Sequence, residues 1–158
     1  ELLLPLQPPP PILAGACAGL PGGRAVRGCR PTIYRDALQR YPQSKALVYE
    51  YAEALLAARQ YDQALLFVEA QLQLYSSDYK LHGLQAKAFA ATGKRLQQHR
   101  AQAEFYLLQG QLGPAVEQLQ FAQQAADGNF FEQSAVDARL RELRKLQLEE
   151  AKQKRNGG

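Results

Sequence analysis

The sequence predicts an all-α protein, an antiparallel stack of about seven helices joined as hairpins. Three observations predict it. From Thr32 onward apolar residues recur at the three-and-four spacing of a helix face, and no segment alternates with period two for the length of a strand. Breaks of two to four residues punctuate this pattern, and such short connections force neighbouring helices to run antiparallel. The chain also repeats itself. RQYDQALLFVEA from Arg59 and GQLGPAVEQLQFA from Gly110 share a break, a Gln, an apolar residue, an Ala (Ala64, Ala115) and an amphipathic run, at an offset of 51 residues.

The elements follow in order. TIYRDALQRYP places Ile33, Ala37 and Tyr41 on one stripe with Tyr34 and Leu38 beside it, and Pro42 stops the helix. Ser44 is placed to cap the next, where Leu47, Tyr51, Ala54, Leu55 and Ala58 share a face. Arg59-Gln60 turns the chain into a third helix with Ala64, Leu65, Val68, Leu72 and Tyr75 inside. Asp78 caps a fourth with Leu81, Leu84, Ala88 and Phe89 inside, and Gly93 is its left-handed terminator. A fifth helix spans about 96–109, with Ala103, Tyr106 and Leu107 as core candidates, and ends at Gly110. Gly113-Pro114 starts a sixth, with Pro114 at the first helical position, burying Ala115, Val116, Leu119 and Ala122. Asp127-Gly128 ends it, Asn129 and Glu132 form a capping pair, and the last helix runs from about 130 into a charged tail.

Residues 1–31 differ from all that follows. They hold seven of the nine prolines, five glycines and almost no charge. Pro8 to Pro11 should form a polyproline-type run, and the segment as a whole is expected to be irregular or to strap the first helix. The expected organisation is therefore an irregular segment at 1–31, a helical repeat domain at 32–146 and a charged, fraying tail at 147–158. The chain opens on Glu1 rather than Met, so it is expected to be part of a longer protein. Cys17 and Cys29 both lie in the first segment, and a disulfide and two free thiols are equally compatible with their positions. No stretch is long and Pro-free enough to span a bilayer. The net charge of +4 comes from the ends: Arg24, Arg27 and Arg30 in the first segment, and seven bases against three acids after residue 138. A charge placed this way argues against a nucleic-acid partner.

The 51-residue offset has a structural meaning. Paired helices of this size repeat every 34 residues, the tetratricopeptide period, and one helix with its turn takes half of that, 17. Fifty-one is one and a half periods, so the second segment has shifted by an odd number of helices. The tetratricopeptide consensus wants small residues where the two helices of a pair touch and large ones beside them. A unit from Lys45 supplies Ala52, Leu55, Arg59, Tyr61, Ala64 and Val68. A unit from Tyr79 supplies Ala86, Phe89 and Gly93 but has Gln98 where the second helix wants Ala. A unit from Leu96 supplies Ala103, Tyr106, Gly110, Leu112, Ala115, Leu119 and Ala122. The fifth helix would thus close one pair and open the next. The fold expected is a tetratricopeptide-like superhelix of antiparallel helix hairpins.

Two segments carry a narrower resemblance. RAQAEFYLLQGQLGPAVEQLQFAQQ followed by FFEQSAVDARLRELR resembles the C-terminal region of bacterial periplasmic zinc metallopeptidases, the group that includes the β-barrel assembly-enhancing protease. The motifs are H-x-A-x-A-E-x-x-x-x-x-G at His99 to Gly110, A-x-x-Q-L at Ala115 to Leu119, and S-x-x-D-A-R-x-x-E-L at Ser134 to Leu143. The resemblance covers about residues 32–146. It implies a parent zinc metalloendopeptidase of the periplasm, with zinc bound in a catalytic domain outside this chain. It also implies a role in outer-membrane protein quality control, with outer-membrane assembly proteins and the chain's own peptidase domain as partners. A stand-alone peptide-binding scaffold or co-chaperone, cytoplasmic in that case, is the alternative.

The chain itself reads as non-catalytic and without a cofactor. The zinc helix of that family needs His-Glu-x-x-His, and His82 and His99 have no such spacing. Both stand at packing positions and read as structural histidines. No Ser-His-Asp set, phosphate loop or carboxylate pair stands out. Function is then expected on the concave face, which helix A residues line in such arrays: Tyr49, Glu53 and Leu56, then Lys80, Leu84 and Lys87, then Arg100, Glu104 and Leu107. Mixed apolar and charged groups suit an extended or helical segment of a partner protein. The Lys/Asn set that grips a C-terminal carboxylate in some cytosolic chaperone adaptors is not there. Phe130 and Phe131 cannot both face one side of a helix. Either one caps the stack, or an adjoining domain covers both.

Overall fold

A computed structural model describes residues 31–156. Seven helices follow one another: α1 (Pro31–Arg40), α2 (Lys45–Ala57), α3 (Tyr61–Leu74), α4 (Tyr79–Ala91), α5 (Arg95–Leu108), α6 (Leu112–Gln124) and α7 (Phe130–Asn156). No strand occurs among the described residues. The polyproline run at Pro8 to Pro11 and the Cys17 and Cys29 pair lie outside them. Pro31, assigned above to the first segment, instead opens α1, where a missing N–H costs nothing.

The connections explain the repeat. Tyr41–Ser44 and Tyr75–Asp78 are equivalent four-residue loops 34 positions apart. In each the last N–H bonds to the tyrosine carbonyl at 3.1 Å. Ala58–Gln60 and Thr92–Lys94 are equivalent three-residue turns, again 34 apart, with left-handed middle residues: Arg59 at φ 58° and Gly93 at φ 74°. Gln60 N–H reaches back to Leu55 C=O (2.9 Å) and Arg59 N–H to Leu56 C=O (3.0 Å). Lys94 and Gly93 bond to Phe89 (3.0 Å) and Ala90 (3.2 Å) in the same way, satisfying carbonyls the helix end leaves open.

A four-residue loop is due after α5. The three-residue turn comes instead, with Gly110 at φ 73° and Gln111 and Gly110 bonded back to Tyr106 and Leu107, both at 2.9 Å. Gly110 follows Gly93 by 17 residues, half a period, so the sequence echo at Arg59 and Gly110 falls at 51. Packing changes with it. α2 touches α4 across the intervening helix, and α5 touches α7, whereas α3 and α5, and α4 and α6, do not meet. α5 closes one pair and opens another. The layer that lies inward in the first half of the stack therefore changes places in the second.

The core runs along the stack as linked patches, the pattern expected when each repeat meets only its neighbouring repeats. Tyr34, Leu47 and Ala54 join α1 to α2. Val48, Ala52, Val68, Leu81 and Leu84 join α2, α3 and α4. Leu65, Ala86, Ala88, Phe89 and Ala101 carry the contact on to α5. The largest patch holds α5, α6 and α7 together around Leu96, Leu119, Val136, Leu140 and Leu143. Alanines stand where backbones approach most closely: Ala52, Ala64, Ala88, Ala115 and Ala122 have no exposed surface at all.

Several details differ from the sequence expectation. On α1 the buried residue is Tyr34, and Ile33 is 46% exposed, because the inward stripe is rotated by one position. Ser44 has the extended backbone of an N-cap but its side chain makes no capping bond. Pro114 is the third residue of α6 and not the first, still within the turn whose N–H groups lack helical partners. Leu96 and Ala101, both unremarked on α5, are core residues. Phe130 and Phe131 are 79% and 81% exposed, so neither caps the stack.

Two caps and one clasp fix the helix starts. Asp78 accepts Lys80 N–H at 3.1 Å. Asn129 and Glu132 bond reciprocally, Glu132 N–H to Asn129 Oδ1 at 2.9 Å and Asn129 N–H to Glu132 Oε2 at 3.0 Å, the capping box anticipated from sequence. α5 has no cap of its own from Lys94. Asp127, from the connection between α6 and α7, supplies it by accepting both Arg95 N–H and Leu96 N–H. Its negative charge also sits at the positive end of the α5 dipole.

Arg59 is the one described non-glycine residue with positive φ. A side chain in that conformation is strained, and the equivalent positions carry glycine. Arg59→Gly is expected to stabilise the protein by about 0.5–1 kcal/mol, read as a higher denaturation midpoint with an unchanged slope.

Candidate functional site

α2, α4 and α5 enclose a groove of roughly 300 Å³. Tyr49 and Glu53 of α2 form one wall, Lys80, Leu84 and Lys87 of α4 the other, and Gln102 and Phe105 of α5 close the end. Lys80, Leu84 and Lys87 share one side of α4 because seven residues make two helical turns. Leu84 is buried and forms the floor. Gly83 is what lets α5 approach. A Cβ there would stand 3.1 Å from Phe105 Cδ2 and 3.3 Å from Cε2, so the Phe105 ring comes close to the α4 backbone. Tyr79 meets the same ring edge-on at 5.9 Å. The groove continues into a hollow of roughly 540 Å³ beside Lys45, Tyr75, Asp78 and Tyr79, sharing Tyr49 and Lys80 with it.

Asp78 ties the two helices at this junction. Tyr49 Oη donates to Asp78 Oδ2 at 2.6 Å and Lys45 Nζ at 3.3 Å, while Oδ1 caps α4. The Asp78 side chain is only 7% exposed. Burial raises its pKa, but the bonds from Tyr49 and Lys45 outweigh that and hold the carboxyl below its ordinary value. Burial, then the hydrogen bond to Asp78, push the Tyr49 phenol up to about 12. The ammonium of Lys80 lies 5.1 Å from the Tyr49 ring centroid, and that of Lys45 lies 4.7 Å from the Tyr75 ring centroid.

A tyrosine whose folded pKa lies above its unfolded value contributes stability below about pH 10, and loses it as pH rises through about 12. Absorbance titration of the phenolates should show a late-ionising tyrosine that Tyr49→Phe removes, with alkaline unfolding of that variant less steep. If the variant titrates like the parent, the Tyr49–Asp78 bond is not formed.

The nine residues expected on one face do not all share it. Tyr49, Glu53, Lys80, Leu84 and Lys87 come together as expected. Leu56 is half-buried in the α2–α3–α4 core, and Leu107 packs against the α5–α6–α7 core. Arg100 and Glu104 line a different cleft of roughly 660 Å³, with Glu69, His82, Gln85 and Glu132. The cause is the half-period step: α5 pairs across with α7, so its Arg100–Glu104 row turns away from α2. Gln102 and Phe105 take the place by the groove instead. Neither was anticipated, although an isolated glycine inside a helix, Gly83, is the usual sign of a close approach.

Three of the four acids lining the larger cleft, Glu104, Asp127 and Glu132, are committed to other groups. Arg139 clamps Glu104 through Nε (2.8 Å) and Nη2 (2.9 Å) and reaches Glu142 through Nη1 at 2.7 Å. The Glu104 hydrogen bond raises the Arg139 pKa further still. Asp127 is taken by the α5 N–H groups, and Glu132 by Asn129 N–H and the Gln97 amide. His82 Nε2 pairs with Ser76 C=O at 3.0 Å and His99 Nδ1 with Gln118 Oε1 at 2.9 Å. Among the described residues no group of three or more His, Cys, Asp or Glu side chains could hold a metal ion. No described helix is long and apolar enough to cross a membrane.

Residues 32–88 match the family model of the tetratricopeptide repeat. The fold is an all-α, tetratricopeptide-like helical repeat. The match runs from α1 into α4, the stretch where four- and three-residue connections alternate in step, and ends before the half-period turn at Gly110. A search of curated proteins returns no match. Tetratricopeptide folds commonly bind protein or peptide partners and are typically non-catalytic scaffolds. The motif residues quoted above have structural duties in this one: Ala101 and Ala103 pack in the core, Gly110 turns the chain, and Glu104 with Arg139 and Glu142 anchors α7.

Proposed function

We propose that the chain is a peptide-binding scaffold whose groove between α2, α4 and α5 takes an extended segment of another protein. The observation that carries this is the groove itself. Lys80, Lys87, Gln102 and Phe105 line it with charge, amide and aromatic surface. A random-peptide display library tests it, with Gln102→Trp as the blocked variant, since Gln102 is half-exposed and its enlargement fills the groove end without entering the core. Selected peptides should lose binding to that variant. Peptides that bind both forms equally would place recognition elsewhere and sink the reading.

We further propose that this scaffold is the C-terminal domain of a periplasmic zinc metallopeptidase engaged in outer-membrane protein quality control. The support is the joint occurrence of the His99–Gly110, Ala115–Leu119 and Ser134–Leu143 motifs in one chain. The zinc and the cutting belong to the catalytic domain, and outer-membrane assembly proteins are the partners the groove would recruit. The exposed Phe130–Phe131 pair, edge-to-face at 5.9 Å, is the contact point for the peptidase domain. The encoding gene decides this second step: absence of a His-Glu-x-x-His helix and of a secretion signal ahead of Glu1 would remove it and leave the scaffold reading standing.

A further inference from the structure

We infer that the groove selects an extended segment bearing two carboxylates about three residues apart with an aromatic or large aliphatic side chain between them. This rests on the groove reading and adds the chemistry of the occupant. Lys80 and Lys87 lie seven residues apart on one side of α4, about 10 Å along its axis. An extended chain covers that distance in about three residues. Among the described residues Lys80 has no carboxylate partner, only the face of the Tyr49 ring at 5.1 Å. Lys87 has only Glu53, at 3.9 Å with both side chains more than half exposed, a contact of little strength. The other ions at the junction are already matched, Asp78 by Tyr49, Lys45 and a backbone N–H, and Lys45 by Asp78 and the Tyr75 ring. The groove therefore has positive charge to offer at two points. Between them lies apolar surface: the Phe105 ring on Gly83, the edge of Tyr79, and Leu84 beneath. An incoming Phe or Leu side chain buries itself there while its acidic neighbours reach the two ammonium groups.

The same interleaving of lysine with aromatic rings also suits a single-stranded nucleic acid. Two features favour the peptide: α2 and α4 carry no arginine, and the groove offers positive charge at two points rather than along a continuous backbone track.

The experiment is fluorescence anisotropy on the whole chain with short labelled peptides. The probe has two acidic residues three positions apart with a Phe in the interval; its analogues carry Asn/Gln, or Lys, in place of the acids, or Ser in place of Phe. The acidic probe should bind about fivefold more tightly than its amide analogue, and the gap should shrink with added salt. Lys80→Gln with Lys87→Gln should abolish the gap between the acidic probe and its amide analogue. The Ser analogue should bind most weakly. Equal affinity for acidic and amide probes, a preference for the Lys analogue, or tighter binding of an oligothymidine than of the acidic probe each overturns the inference. Peptides of neutral or basic type that bind and are blocked by Gln102→Trp would sink the charge rule alone. Binding that Gln102→Trp leaves untouched, or no binding by any probe, would take the groove reading with it.

Discussion

Gly128→Ala is expected to destabilise the protein by about 2–3 kcal/mol, a large effect for one methyl group. The reason is space, since φ at Gly128 lies outside the left-handed region. An added Cβ collides with Leu96 Cδ1 and stands 3.3 Å from its Cγ. Leu96 cannot swing aside: it is 1% exposed, sits in the largest core patch, and its own N–H is held by Asp127. The clasp of Asp127, Gly128 and Glu132 onto the start of α5 would open to admit the methyl, and the α5 cap would be lost with it. Urea denaturation measures the loss. Leu96→Ala in the same background is the sharper test, because the truncated side chain vacates the space the new methyl needs. The double variant should be less destabilised than the two single effects added, by about 1 kcal/mol or more. Strict additivity would show that the two side chains do not collide.

Leu119→Ala should cost about 3–4 kcal/mol. Leu119 has no exposed surface and lies in the patch with Leu96, Val136, Leu140 and Leu143. A cavity there has walls on three helices, so none can close it without leaving another. The loss should be regional. Hydrogen exchange should quicken first in α6 and α7, while amides of α2 and α3, tied by the separate patch around Ala52, Val68 and Leu81, keep their protection. Uniform loss along the chain would mean the stack unfolds as a single unit.

What was legible in the sequence is what local chemistry decides. The seven helices, the helix-ending glycines at 93 and 110, the Asp78 cap and the Asn129–Glu132 box each depend on residues within a turn of one another. The Asp127 cap on α5 and the Arg139 clamp on Glu104 join residues 31 to 35 positions apart and left no local trace. Site residues divided along the same line. Tyr49, Glu53, Lys80, Leu84 and Lys87 sit in the regular part, where a repeat template fixes which way a side chain points; Leu56 of α2 is the exception there, turned into the core. Arg100, Glu104 and Leu107 come from α5, whose facing depends on its later partner. The 51-residue offset announced a half-period step and the fifth helix as its place, but not which side of that helix would face the groove, and Phe105 was overlooked for that reason. Ile33 was misplaced by one position, since Ile33 and Tyr34 are adjacent and either could head the stripe.

The turn at Gly110 also bears on how such a molecule could change length. Growth by whole helix pairs would keep every later surface pointing as before. Gain or loss of a single 17-residue helix near that turn would keep nearest-neighbour packing yet exchange inner for outer along everything downstream, so α7 would present its opposite flank to whatever lies beside it.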